Sequence, residues 1–425
     1  MLYSNLIISL LLLFSSATIE MNDNNQAVKV EIKKQGDSYQ LYRGGEPYSF
    51  NGAGLSGDIE TFKAHGGNSI RTWAENSEIL DVAHEHGMTV MMCFYIQPER
   101  HGMDYDDQKQ KDVQFDRVKK FVLENKDHPA LLSWSIGNEL NLNYTNPKVY
   151  DEVNRISKWI HEVDTNHLTT TTISSMNPEV VKEIKKRATD IDYLSIQVYG
   201  DLFVLGDMVE ESNWTKPFMV TEWGAIGHWE MPSTEWGAPI EQTSSQKAKN
   251  YLKGYKESIE PYENQCIGNY VFLWGQKQER TPTWYGLFLE TGEETEVIDV
   301  MHYIWNEKWP DNRNPRLDSM LFNGKLPQEN VYLKSGEEYV AKVKTLDFDN
   351  DSLTYKWVIM RESEETKEGG DKEEVPEQLG IIESATDSQV KVTVPKEEGA
   401  YRLFAYVFDG NGHAAHANVP FYVKN

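Results

Sequence analysis

The chain reads as an α/β protein, a (β/α)8 (TIM) barrel followed by an immunoglobulin-like β-sandwich. Three observations predict it. Eight short apolar segments alternate with helical stretches over about 250 residues, the size of one such barrel. Two of those segments, His128–Leu140 and Pro217–Gly224, carry a glutamate at their C-terminal tips. Past about Asn312 the helical pattern gives way to short strands of alternating polarity.

Leu6 to Phe14 is an apolar run followed by Ser15-Ser16-Ala17, too short to cross a bilayer and shaped like a secretory signal. Residues 1–19 are read as that signal, so a secreted, periplasmic or cell-surface protein is expected. No later stretch is long enough to span a membrane. Residues 28–49 alternate around Gly36-Asp37 and Gly44-Gly45, the pattern of β-hairpins capping a barrel floor.

The barrel is read over 28–311, with strands at 50–54, 68–73, 89–96, 131–138, 168–174, 192–199, 217–223 and 267–274. Helices are read between them at 76–86, 112–125, 147–163, 177–187 and 243–259. A doubly wound sheet would also alternate, but no Gly-rich phosphate turn follows the first strand. The sandwich is read over 312–425, with strands at 338–347, 353–359, 389–394 and 400–408. Glu362–Glu377 is expected to be a solvated loop. Asp347, Asp349 and Asp351 lack calcium-loop spacing and read as a polar turn.

With 42 Lys+Arg against 67 Asp+Glu, a formal charge of −25, nucleic acid and anionic membranes are disfavoured as partners and a neutral polysaccharide is favoured. The two cysteines, Cys93 and Cys266, fall inside strands and read as buried thiols. His84 and His86, at i and i+2 on one helix, point apart and make no metal pair. Neither metal nor cofactor is expected, and a monomer is.

The chemistry rests on the two strand ends. Cleaving a glycosidic bond requires one protonated carboxyl for the leaving oxygen and one ionised carboxylate opposite. Charges at buried strand ends are costly without a purpose. Asn138-Glu139, closing HPALLSWSIGNEL, resembles the Asn-Glu at the end of the fourth strand in clan A glycosidases. Glu222 in TEWG resembles their nucleophile at the end of the seventh. The strand count gives the same ordinals. The resemblance implies Glu139 as acid/base, Glu222 as nucleophile and Asn138 as partner of the sugar 2-hydroxyl, with retention of configuration. It further implies roles for Arg71 and Tyr199 in holding the nucleophile and for Trp274 in stacking on the sugar. Gln97, Trp223 and Trp229, with Trp236 and Trp284, lie at or near the top loops and read as subsite candidates. Glu230 and Glu235 read as solvated charges, and His128 as bonding within its own turn.

The barrel is also similar to the catalytic domain of family 2 glycosidases, without their preceding sandwich domains. Its architecture resembles glycoside hydrolase family 158, secreted endo-β-1,3-glucanases of laminarin-type glucans. That resemblance implies a retaining endo-β-glycanase. The residues leave open a β-mannanase, a β-1,4-glucanase, a β-glucanosyltransferase, a non-catalytic glycan binder or an adhesion protein.

Overall fold

The computed structural model describes residues 26–365, 367, 370–384 and 387–425; the expected signal segment lies outside them. Eight parallel strands close a barrel: β1 (Gly52–Leu55), β2 (Ser69–Arg71), β3 (Thr89–Phe94), β4 (Leu131–Ile136), β5 (Leu168–Ser174), β6 (Tyr193–Gln197), β7 (Phe218–Trp223) and β8 (Cys266–Trp274). All six residues of β3, of β4 and of β7 are buried. That two-sided burial is why these segments read as largely apolar on both faces. Cys93 and Cys266 are buried free thiols within them.

Helices α1 (Ile59–Ala64), α2 (Glu78–Glu85), α3 (Gln108–Asn125), α4 (Val149–Val163), α5 (Pro178–Arg187), α6 (Leu205–Ser212), α7 (Ser244–Gly254) and α8 (Glu296–Asn306) accompany the strands. Several carry their start signals in the sequence. Asp107 accepts from the backbone of Lys109 and Gln110 to open α3, and Asn177 precedes Pro178 to open α5. Thr243 and Gln246 form a capping box on α7, which continues as a single π turn over Tyr255–Ile259. The sequence reading omitted α1, α6 and α8. The first two have 6 and 8 residues, too few turns to establish a period.

At the barrel floor, Val30–Gln35, Ser38–Arg43 and Glu46–Pro47 form a small antiparallel sheet. Val30 and Leu41 meet Met91, Leu132, Tyr193, Met219 and Tyr270 from the barrel strands in one apolar cluster. The strand tips on the opposite side are left free to build a site.

The C-terminal region is sheet-rich. Strands β9 (Arg316–Phe322), β11 (Glu338–Leu346) and β14 (Gln389–Thr393) make one sheet. The other contains β10 (Val331–Lys334), β12 (Thr354–Arg361), β13 (Gln378–Ser384), β15 (Gly399–Phe408) and β16 (His413–Lys424), and takes Glu294–Thr295 as an edge beside β16. One core containing Leu317, Phe322, Trp357, Leu403 and Phe421 joins the two sheets. Asp347 accepts from the backbone of Asp349 and Asp351, making a polar turn there.

A buried polar network ties this region to the barrel. The Glu241 carboxylate, after β7, takes Lys247 of α7 at 2.6 Å, Thr281 and Thr283 at 2.6 and 2.9 Å, and Asn418 of β16 at 2.6 Å. Arg402 of β15 grips Glu362 through two nitrogens at 2.9 and 2.7 Å and also donates to Pro239 O. Most of the described residues of Glu362–Glu377 are exposed, as expected of a solvated loop, yet two of its carboxylates are anchored. Glu362 is held by Arg402, and Glu373 is buried, accepting from Arg280 N at 2.6 Å. Neither anchor is visible in the sequence, because Arg402 and Arg280 lie on distant elements.

Burial by itself would raise the Glu241 pKa, but the Lys247 charge, His416 and hydrogen bonds from Lys247 and Thr281 outweigh it and hold it near 2. Its folded value lies below the unfolded one, so its contribution to stability is complete above about 4.5 and is lost as pH falls from there toward 2. Glu241→Ala leaves Lys247 buried and unpaired, and should cost about 3–5 kcal/mol in denaturant unfolding at neutral pH. A loss below about 1 kcal/mol would show that the pair is dispensable.

Candidate active site

Above the strand tips lies a cavity of about 750 Å³, and Glu139 and Glu222 both line it. Glu139 is delivered by a turn that the sequence makes possible at Gly137. There φ is +84°, and an added Cβ would lie 2.6 Å from the Leu140 side chain. Asn138 follows, and Glu139 itself adopts φ +47°, a left-handed conformation uncommon for a residue with a side chain. Arg100 donates to Glu139 O at 3.0 Å and secures the turn through its backbone.

Glu222, near the end of β7, is held by four donors. Arg71 and Trp73 (2.6 Å) reach Oε1 from the second strand, together with Gln197 (2.8 Å) from β6. Tyr199 donates to Oε2 at 2.7 Å. The carboxyl is used purely as an acceptor. Three donors converge on Oε1 and one on Oε2, leaving Oε2 the less encumbered oxygen. Burial and the Glu222 and Glu139 charges push the Tyr199 phenol well above 10, so it remains a donor. Arg71 also donates to Asn138 Oδ1 at 2.5 Å, as does Gln197 at 2.7 Å. With its oxygen so occupied, Asn138 has its Nδ2 donors left for the cavity.

Glu139 has the opposite environment. Among the described residues, no side chain donates to its carboxyl. Burial first, then the Glu222 charge, push its pKa up to about 7. Two carboxyls on one cavity are thus differentiated, one held by donors and the other desolvated.

Arg71, Asn138 and Tyr199 come together at the pair as expected, and Trp229, 60% exposed, lines the cavity beside Tyr199. Three expectations fail. Trp274 is buried away from the cavity against Phe62, Phe288 and Trp305, because a register shift between Val271 and Trp274 breaks the strand's alternation. Phe272, two residues earlier, lines the cavity in its place, edge-on to Trp73 and Tyr199. Trp223 is buried against Tyr251, since the neighbour of an inward residue points outward. Gln97 is held within its own loop, donating to His101 O at 2.7 Å, and does not line the cavity.

Trp284 is buried, and Trp236 meets Tyr332 and Tyr422 of the C-terminal region. Glu230 is no solvated charge: it accepts from the backbone of Gly200, Asp201 and Gly227. Glu235 accepts from Tyr332 at 2.7 Å. His128 accepts from Ala130 N within its own turn.

Trp73 and Gln197 went unread in the sequence. Trp73 stands two residues after Arg71, so period-two spacing could have placed both on one side. Gly54 leaves room for it, since a Cβ there would meet its ring at 2.8 Å. Gln197 had no local signal.

Residues 48–275 match the family model described as glycosyl hydrolases family 2, TIM barrel domain. The chain belongs to that family. A β-galactosidase of Lactococcus lactis subsp. lactis (strain IL1403) is 29% identical over 101 residues, covering 22% of this chain and 10% of that protein. The FMN-binding β-glucuronidase from Facaelibacterium prausnitzii L2-6 shares the fold at a TM-score of 0.51 and 14% identity, over 93% of this chain and 59% of its own. A β-glucuronidase from Ruminococcus gnavus in complex with uronic deoxynojirimycin gives 0.51 and 14%, over 66% and 52%. This family 2 chain thus spans less than two thirds of the length of each of these relatives.

Two outcomes test the electrostatics of the pair. Glu222→Gln removes a charge that raises Glu139, so Glu139 should titrate below about 7 in carboxyl-carbon NMR; an unchanged titration would refute the coupling. The folded pKa of Glu139 lies above the unfolded value of 4.5, so ionising it costs stability as pH rises from about 4.5 through 7. Glu139→Gln should therefore be more stable than wild type by about 1–3 kcal/mol at pH 8, with the gain fading below pH 5. A gain independent of pH would show that ionisation of Glu139 is not what costs stability.

Proposed function

We propose that this protein is a secreted retaining β-glycosidase of clan A that hydrolyses β-linked glucan by double displacement. The observation that carries this reading is the differentiated carboxyl pair across one cavity. Glu139, desolvated and titrating near 7, is the general acid at neutral pH. Glu222, fixed by four donors, attacks the anomeric carbon through Oε2 as Glu139 protonates the departing glycosidic oxygen. A glycosyl-enzyme ester forms and the leaving chain departs. Glu139, now ionised, takes a proton from water, the water oxygen attacks the anomeric carbon, and Glu222 is released. Two inversions give net retention, and the mechanism places the carboxyls about 5–5.5 Å apart. Asn138 offers its amide donors to the sugar 2-hydroxyl, Arg71 and Tyr199 hold the nucleophile, and Phe272 and Trp229 supply apolar faces.

Laminarin-type β-1,3-glucan is the leading substrate, supported by the net charge of −25 and the architectural resemblance to family 158. We read 1–19 as a signal peptide, 28–311 as the catalytic barrel and 312–425 as an immunoglobulin-like domain. The names of the relatives put galactosides and glucuronides on the same test panel.

Glu139→Gln and Glu222→Gln should each fold and lose most turnover, by about 10³-fold or more. Azide should rescue Glu222→Ala and give a glycosyl azide of inverted configuration. Product profiling on laminarin, curdlan, mixed-linkage glucan, cellulose, mannan and aryl β-glucoside, galactoside and glucuronide fixes the substrate. A fully active Glu222→Ala enzyme would sink the mechanism.

A further inference from the structure

The loop joining β12 to β13 belongs to the C-terminal region, yet Gly370 and Asp371 line the same cavity as Glu139 and Glu222. It is held there by contacts to barrel loops. Lys277, after β8, donates to Gly370 O at 2.9 Å while pairing with Glu279 at 2.7 Å. Arg280 donates to Glu365 O at 2.7 Å and, through its backbone nitrogen, to the buried Glu373. His101, after β3, also lines the cavity and bonds to Asp371 Oδ2 through Nε2 at 3.3 Å and to Tyr95 OH through Nδ1 at 3.0 Å.

These two hydrogen bonds fix a single arrangement of protons when the imidazole is neutral. Nε2–H donates to the carboxylate, and Nδ1 accepts from the phenol. Among the described residues nothing donates to Asp371 Oδ1, and the side chain is 49% exposed. Tyr95 is 44% exposed, and its ring stacks with His101 at 6.4 Å and 21°. An exposed aromatic face beside a carboxylate with one open oxygen suits a pyranose. The ring's C–H face lies on the aromatic, and its hydroxyls donate to the carboxylate.

We propose that Tyr95, His101 and Asp371 form a second sugar-binding subsite, built jointly by the barrel and the C-terminal region. It takes a neutral glucan unit beyond the one undergoing reaction. This rests on the β-glucan reading and extends it: the C-terminal region takes part in choosing the substrate. Asp371 and Tyr95 are binding groups, and His101 is a positioning residue that orients the carboxylate.

The test compares wild type, Asp371→Ala and Tyr95→Ala on 4-nitrophenyl β-glucoside and on laminari-oligosaccharides of increasing length, with Tm measured for each. The expected loss grows with chain length: about tenfold or more in kcat/KM on the longest oligosaccharides, carried by KM, and less than about threefold on the aryl glucoside. Variants matching wild type at every length would overturn the subsite. So would an equal loss at all lengths, which marks a structural role. A wild type inactive on both substrate classes would instead overturn the β-glucan reading, and the subsite with it, and is told apart because the variants then play no part in the result.

Discussion

A charged carboxylate at the mouth of a closed apolar barrel is tolerable only if donors surround it. The Arg71–Glu222 contact is where that requirement is met. The guanidinium is wholly buried and rests over the Trp73 ring at 5.5 Å, so neither charge could remain there without the other. The planar fork gives one nitrogen to Glu222 and the other to Asn138. That single residue sets the relation between the tips of the second, fourth and seventh strands. Tyr199, Gln197 and Trp73 complete the arrangement, and each departs from a strand whose register the barrel has already fixed.

Glu139 is arranged on the contrary principle. It sits in a left-handed turn, is desolvated, and has no donor among the described side chains. The strain and the burial oppose folding, and the burial together with the Glu222 charge raises the carboxyl to about 7. Strain and desolvation concentrated at one residue, with full satisfaction at its neighbour, is how a fold separates two chemically identical groups into an acid and an anion.

The C-terminal sheets are part of the same physical unit. The ion pair Glu241–Lys247 lies on the barrel side and Arg402–Glu362 on the sheet side, and Asn418 to Glu241 and Arg402 to Pro239 O are buried bonds that cross between them. Buried bonds of this kind favour one geometry of association, since a slip would leave Asn418 and the Pro239 carbonyl without these partners in a dry interface. That fixed geometry brings the loop after β12 to the cavity, so the wall of the site depends on charges well removed from it.

The sequence by itself determined the eight strands, their order and the two glutamates at the fourth and seventh tips, because these signals are local. A strand buried on both faces is an apolar run, and a carboxylate closing such a run stands out at once. The resemblance to clan A glycosidases marked Arg71, Asn138 and Tyr199. Tertiary structure alone decided which donors converge on Glu222, for Gln197 gains its meaning only from closure of the barrel. It turned Trp274 away from the cavity through a register shift, while the alternation of the strands set Trp223 outward and Phe272 inward. It also fastened the acidic stretch Glu362–Glu377: Arg402 pairs with Glu362, Lys277 reaches Gly370 O and the Arg280 backbone reaches Glu373, partners that lie far from the stretch in sequence and meet it only on folding.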